Sequence, residues 1–338
     1  MRLPLAATAS LLAASAGPAH VDDGFDLSPR VVPGQRVEVA SESSFIGEIE
    51  DLSVSVNDVE VMGSEFGLEM TIRAGSSRIE EVVASADGVV RSKRVDFGRQ
   101  TMEMDFVADQ PGRTKNKNAE FDLPLDGRSY VLKLDEEDVL QVEEVSEEDL
   151  FGSALDEQLL GDLSLEVPFA SLLPGEPVQV GEAFELETSG YAERALDTVL
   201  QCADALDGWE GMEGAAISTS ARWILDEVEL EGTGTLREVE GGIATIDYAM
   251  EGSYEVDDLV DMVEAADQPD VPAREGATGT LGGEVLLKGV GRFDLAAGQM
   301  IEVSLEGEAT ASVNMSAEAE VVVEVSAALS HTATLTVQ

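Results

Sequence analysis

The side chains that most often carry catalysis are scarce in this chain. It has two histidines, His20 and His331, and one cysteine, Cys202. Ser-His-Asp and Cys-His mechanisms both need a positioned base. His20 falls where a leader peptide would be cut, so His331 stands alone. It occupies the dry side of an alternating β pattern, which suits a satisfied core or rim residue. Zinc or iron sites built on histidine fail on ligand number. Gly232-Thr233-Gly234 and Gly289-Val290-Gly291 lie inside strand patterns rather than ahead of helices, so neither forms a phosphate loop. Cys202 reads as a buried, inert thiol, and no disulfide framework exists.

Carboxylates are the abundant chemistry. Paired-acid hydrolysis needs two of them about 5–10 Å apart in a cleft. With 69 Asp and Glu residues, no single pair stands out. Aromatic residues make up only 5% of the chain, thin for a carbohydrate-binding cleft. Asp135-Glu136-Glu137-Asp138 and Asp257-Asp258 with Asp261 are rich in oxygen ligands. Neither matches the spacing of a calcium loop, so both read as solvated acidic turns. The chain is therefore expected to be no enzyme and to hold no metal and no cofactor.

The formal net charge is −49, and it is uneven. Residues 1–133 hold 22 acids and 14 bases; residues 134–338 hold 47 and 6. That charge speaks against nucleic acid and anionic membrane surfaces as partners. An acid-rich, lysine-poor surface suits salty surroundings, where self-repulsion is screened. Against this background Gln110 to Asn118 is basic, through Arg113, Lys115 and Lys117. It suits docking to the chain's own acidic half or to a partner, and otherwise reads as a solvated loop.

The chain opens Met1-Arg2-Leu3-Pro4-Leu5-Ala6 and stays apolar to about Ala14. Ala14-Ser15-Ala16 fits a small-x-small cleavage site, with Ala19 as a second candidate. Residues 1–19 are thus expected to be a signal peptide, with no lipid anchor and no transmembrane segment, which places the mature protein in a periplasmic or extracellular space. Hydrophobic residues make up 43% of the chain, enough for an ordinary folded core.

The elements that would position any site are mostly strands. From Ile301 to Val337 nearly every odd position is apolar or small, and nearly every even position is polar. A period of two over such a length means strands with one wet and one dry face. As a single strand the run would exceed roughly 100 Å, so about three strands are expected. Parity is kept along the run, which points to three-residue loops or bulges; Asn314-Met315-Ser316 and Ala327 to Ser330 are the candidate reversals. Earlier strands are expected around Val37–Val39, Ile46–Val56, Leu68–Arg73 (ending at Ala74-Gly75), and Met102–Phe106. Hairpins are expected about Ala86-Asp87-Gly88, Asp135 to Asp138 and Gly241-Gly242. Residues 20–30 read as a flexible lead-in.

Helical periodicity appears in three places. Glu147 to Leu160 follows a Ser146 cap and ends at Gly161. Tyr191 to Leu206 carries the stripe Ala195, Leu196, Val199, Leu200, Ala203 and Leu206. A short helix is expected from Asp257 to Ala266.

Two stretches carry a family likeness. Gly291-Arg292-Phe293-Asp294-Leu295-Ala296-Ala297-Gly298-Gln299-Met300-Ile301 resembles a G-x-F-D…G-x-I hairpin of uncharacterised bacterial secreted proteins. Leu173 to Phe184 resembles the strand that leads into such hairpins. The resemblance implies a long curved sheet with helices on one face, similar to bacterial lipoprotein carriers, which hold lipid in the groove between sheet and helices.

The expected fold is α+β and β-dominated, with a long antiparallel, curved or half-barrel sheet and two or three helices packed on one face. An all-β part (20–145) precedes an α+β part (146–338). The expected function is a secreted or periplasmic, non-enzymatic binding or carrier protein holding a lipid or other apolar small molecule. The Ala-rich dry face leaves room opposite it, and Leu196, Val199, Leu200, Val313, Met315 and Val323 are the candidate ligand-binding residues. The alternative is an acidic cell-envelope or surface structural protein, tuned by calcium.

Overall fold

The computed structural model describes residues 24–56, 59–62, 67–86, 88–110, 113–122, 125–135, 139–145, 163–188, 229–256, 278–316 and 320–337. Thirteen strands among them join one antiparallel sheet. They are β1 (Arg36–Val56), β2 (Val59–Met62), β3 (Gly67–Ala86), β4 (Val89–Gln110), β5 (Arg113–Asp122), β6 (Ser129–Leu134) and β7 (Leu140–Glu144) in the first part of the chain. β8 (Ala183–Glu185), β9 (Glu229–Glu240), β10 (Ile243–Val256), β11 (Thr278–Asp294), β12 (Gln299–Ser316) and β13 (Glu320–Val337) follow.

The spatial order is β7-β6-β4-β3-β1-β13-β12-β11-β10-β9-β8, with β2 beside β1 and β5 beside β4. Most neighbours are consecutive in sequence; β6 and β4, β3 and β1, and β1 and β13 are not, and the last pair runs from Val37↔Val337 to Ser55↔Glu320. Strands from both sides of residue 145 thus belong to one ladder. The path ends in short strands, three residues in β8 and five in β7, while ten-residue β5 forms a longer edge beside β4.

The α+β expectation is overturned. Among the described residues there is no α-helix, only a 3-10 turn at Ala170–Leu172, and no helix packs on the sheet. The segments read as helices, 147–160, 191–206 and 257–266, lie outside the described residues. What lies on the sheet face instead is an extended strap, residues 163–188. Pro168, Pro174, Gly175, Pro177 and Gly181 break helical periodicity there, yet Leu172, Leu173, Val178 and Leu186 still supply core side chains.

The terminal run makes two strands, not three. β12 and β13 reverse once, Ser316 pairing with Glu320 across three residues, which keeps the parity. Neither strand breaks at Ala327 to Ser330. Neighbours of about the same length lie on each side, so the ladder itself sustains the long strands. β3 likewise runs straight through Ala74-Gly75 to Ala86. The polar residues that interrupt its apolar pattern find partners across the sheet: Ser76 Oγ lies 2.7 Å from Ser41 Oγ. The lead-in is not loose either, since Leu27 is fully buried and Phe25 bridges Val178.

Hairpins form where the turn residues asked for them. Gly241 and Gly242 both take positive φ, 60° and 86°, between β9 and β10. Gly88 at φ 80° and Gly298 at φ 67° serve β3–β4 and β11–β12.

The main core lies between the strap and the β9–β13 and β1 part of the sheet. It gathers Leu27, Val37, Val39, Leu172, Leu236, Ile246, Tyr248, Phe293, Met300, Val303, Leu305 and Leu335. A second cluster, Val95, Phe97, Leu125, Tyr130 and Leu132, takes Leu163 and Leu165 from the strap's start.

Candidate functional site

Parity assigns two faces to the sheet. The outer face carries exposed Glu42, Glu48, Glu69, Glu103, Glu251, Glu306 and Glu308. The inner face carries the core residues, and the strap crosses it. The strap's start is tied to β4, where Lys93 Nζ donates to the Glu166 carbonyl at 3.0 Å. The strap's end is tied to β9: Gly181 N–H donates to the Leu236 carbonyl at 2.7 Å, and Leu186 N–H to the Gly232 carbonyl at 2.9 Å. Midway, the Phe169 ring centre sits 6.3 Å from that of His331. Phe169 has φ 61°, a left-handed conformation costly for a bulky residue, held here by its packing on the core.

Under the strap lie charged and polar side chains. Glu80 accepts from Lys93 Nζ at 2.9 Å and from Arg78 Nε at 2.7 Å. The Lys93 and Glu80 side chains are 6% and 7% exposed, so this is a buried ion pair. Burial alone would raise the Glu80 pKa; the charges of Lys93 and Arg78 outweigh it and hold the carboxyl at about 2. The sequence did carry a signal for this cluster. Arg78 and Glu80 share the parity of Ile72 and Ala74, which marks them as inward.

His331 Nδ1 lies 2.9 Å from Ser43 Oγ. Burial, then the Arg78 charge, depress the imidazole to about 4, so it is neutral at neutral pH. A catalytic histidine works beside an acid that stabilises its cation. Here a guanidinium acts on it in the opposite sense. The pair therefore knits β1 to β13 rather than resembling a nucleophile and base. Asp135 is likewise used locally: its carboxylate accepts from Val139 N–H at 3.0 Å and Gln141 Nε2 at 3.1 Å. Residues 136–138 and the cluster at 257–261 lie outside the described residues. Among the described residues no three potential ligands gather for a metal.

Beyond the strap the inner face changes. One transverse row reads Met250–Leu287–Gly307–Leu329–Phe45–Ile72–Met104. The next reads Gly252–Val285–Ala309–Ala327–Gly47–Met70–Phe106. Every residue in them is apolar or glycine. Leu287, Val285, Gly307, Ala309, Phe45 and Met70 are only half-buried. Small residues alternate with large ones: Tyr254 faces Gly283 across the β10–β11 pair, and Tyr248 faces Gly289. A Cβ at neighbouring Gly291 would stand 2.7 Å from Tyr248 and from Met300.

Three of the six candidate residues extend this face. Val313 is the register partner of Val323, and Met315 follows two residues on, opposite Val321. Leu196, Val199 and Leu200 lie outside the described residues.

No family model matches the chain, and no curated protein matches it. Among solved structures, the crystal structure of OccK7 (OpdD) from Pseudomonas aeruginosa is similar at 7% identity, covering 90% of this chain and all of that one, with a TM-score of 0.25. A likeness that remote carries no argument about this protein.

Proposed function

We propose that this chain is a non-enzymatic binding or carrier protein of a secretory compartment, holding an apolar ligand against the half-buried apolar rows of its inner face. One observation carries the reading: two adjacent rows are built wholly of apolar residues and glycine, and Leu287, Gly307, Phe45, Val285, Ala309 and Met70 within them are only half-buried. Soluble proteins seldom leave such a surface without a use. The outer face bears on where the sheet works. Its exposed glutamates alternate with the apolar positions that face the core. The ligand thus sits on the inner face, with the charged face in water.

The test is native mass spectrometry of the mature protein taken from its own secretory compartment, with and without chelator. An apolar mass that copurifies and dissociates on collisional activation is the expected result. A bare mass in both conditions refutes the carrier reading, and a bare mass shifted only by calcium moves the assignment to an acidic structural protein.

A further inference from the structure

We infer that the ligand is an anionic amphiphile, a lipid of fatty-acid type, with its head group at β5 and its chain along the apolar rows. The inference rests on the carrier reading and adds a head-group site to it. β5 was expected to be part of a solvated loop; it is a strand paired with β4 from Thr101↔Asp122 to Gln110↔Arg113. Its sequence alternates strictly: Arg113, Lys115, Lys117, Ala119 and Phe121 on one parity, Thr114, Asn116, Asn118, Glu120 and Asp122 on the other.

The register says which parity belongs to which face. Phe121 is opposite Met102 and Ala119 opposite Met104, and both methionines are buried on the inner face. Lys117, Lys115 and Arg113 then occupy inner-face register positions, opposite Phe106, Ala108 and Gln110. The row Gly47–Met70–Phe106 therefore ends at Lys117, and the row Leu68–Ala108 ends at Lys115. Two of the chain's five lysines and one arginine sit at the end of an apolar face, in a protein of net charge −49.

That juxtaposition selects the occupant. A purely apolar ligand would leave the basic row unused, and a purely polar anion would leave the apolar rows unused. A membrane surface fits less well, because a chain of net charge −49 is repelled by anionic lipid. A single anionic amphiphile satisfies both halves at once.

The test uses the full mature chain and two probes, cis-parinaric acid and its methyl ester, read by fluorescence titration. The wild type should bind the acid more tightly than the ester. The triple variant R113Q/K115Q/K117Q should lose about tenfold in affinity for the acid, the effect of one lost hydrogen bond to a charged group, and keep its affinity for the ester. Raising salt should reproduce part of that loss in the wild type only. If variant and wild type bind both probes alike, the carrier reading stands and the head-group site is refuted. If neither probe binds the wild type, the carrier reading falls and this inference with it. A variant that melts lower yet binds both probes unchanged assigns the basic row to the chain's own acidic surface, which also overturns the proposal.

Discussion

Replacing Lys93 by methionine tests how the strap is held. Lys93 makes two contacts that the methionine cannot: an ion pair with Glu80 at 2.9 Å and a hydrogen bond to the Glu166 carbonyl at 3.0 Å. Both partners on the Lys93–Glu80 side are buried, so the lost charge leaves a carboxylate out of water. Breaking a buried pair from one side costs about 3–5 kcal/mol. Arg78 remains at 2.7 Å from Glu80 and offsets part of that, which leaves about 2–4 kcal/mol. For a chain of this size that corresponds to a fall of roughly 3–6 °C in melting temperature.

Circular dichroism melts at neutral pH measure the effect. Limited proteolysis adds a local readout, since cleavage should rise first within 163–188. The double variant E80Q/K93M should recover most of the loss, because a neutral amide in place of the carboxylate no longer needs a cation. If Lys93→Met melts within about 2 °C of the wild type, the pair is not buried in solution and the anchoring argument fails.

Two further predictions concern pH and packing. Glu80 titrates at about 2 in the folded state against an ordinary 4.5, so its contribution is complete above pH 4.5 and is lost as pH falls through 2; the difference is worth about 3 kcal/mol. His331 titrates at about 4 against an ordinary 6.5, so burying it neutral removes about 3 kcal/mol of stability as pH falls from 6.5 to 4. Denaturant melts across pH 7 to 3 should show the histidine arm first, and His331→Gln should flatten that arm alone; an unchanged profile refutes the assignment. Gly291→Val should cost about 1–3 kcal/mol, because its first side-chain atom meets Tyr248 and Met300 at 2.7 Å. A neutral result in denaturant titration would mean that the Tyr248 ring does not lie over this glycine.

Much of the sheet was legible because its signals are local. Alternation is a property of neighbouring residues, and Gly241-Gly242 needs nothing distant to turn the chain. The helices were read from the same kind of local signal, yet none packs on the sheet among the described residues. The strap's extended course was legible from Leu173 to Phe184, but that Leu172, Leu173 and Val178 fill the core was not, because a non-periodic segment marks no buried face. Strand lengths were underestimated for a related reason. Ser41, Ser43 and Ser76 look like interruptions until their partners across the sheet are known.

The sequence by itself determined the β character, the parity of the terminal run, the hairpin turns and the acidic outer face. Each depends on residues within a few positions of one another. Tertiary structure alone decided that β1 lies against β13, that Lys93 reaches Glu80 beneath the strap, and that Lys115 and Lys117 stand at the end of an apolar row. Those facts follow from register between strands far apart in the chain. A register is set by the summed fit of two whole faces, so no local stretch can announce it.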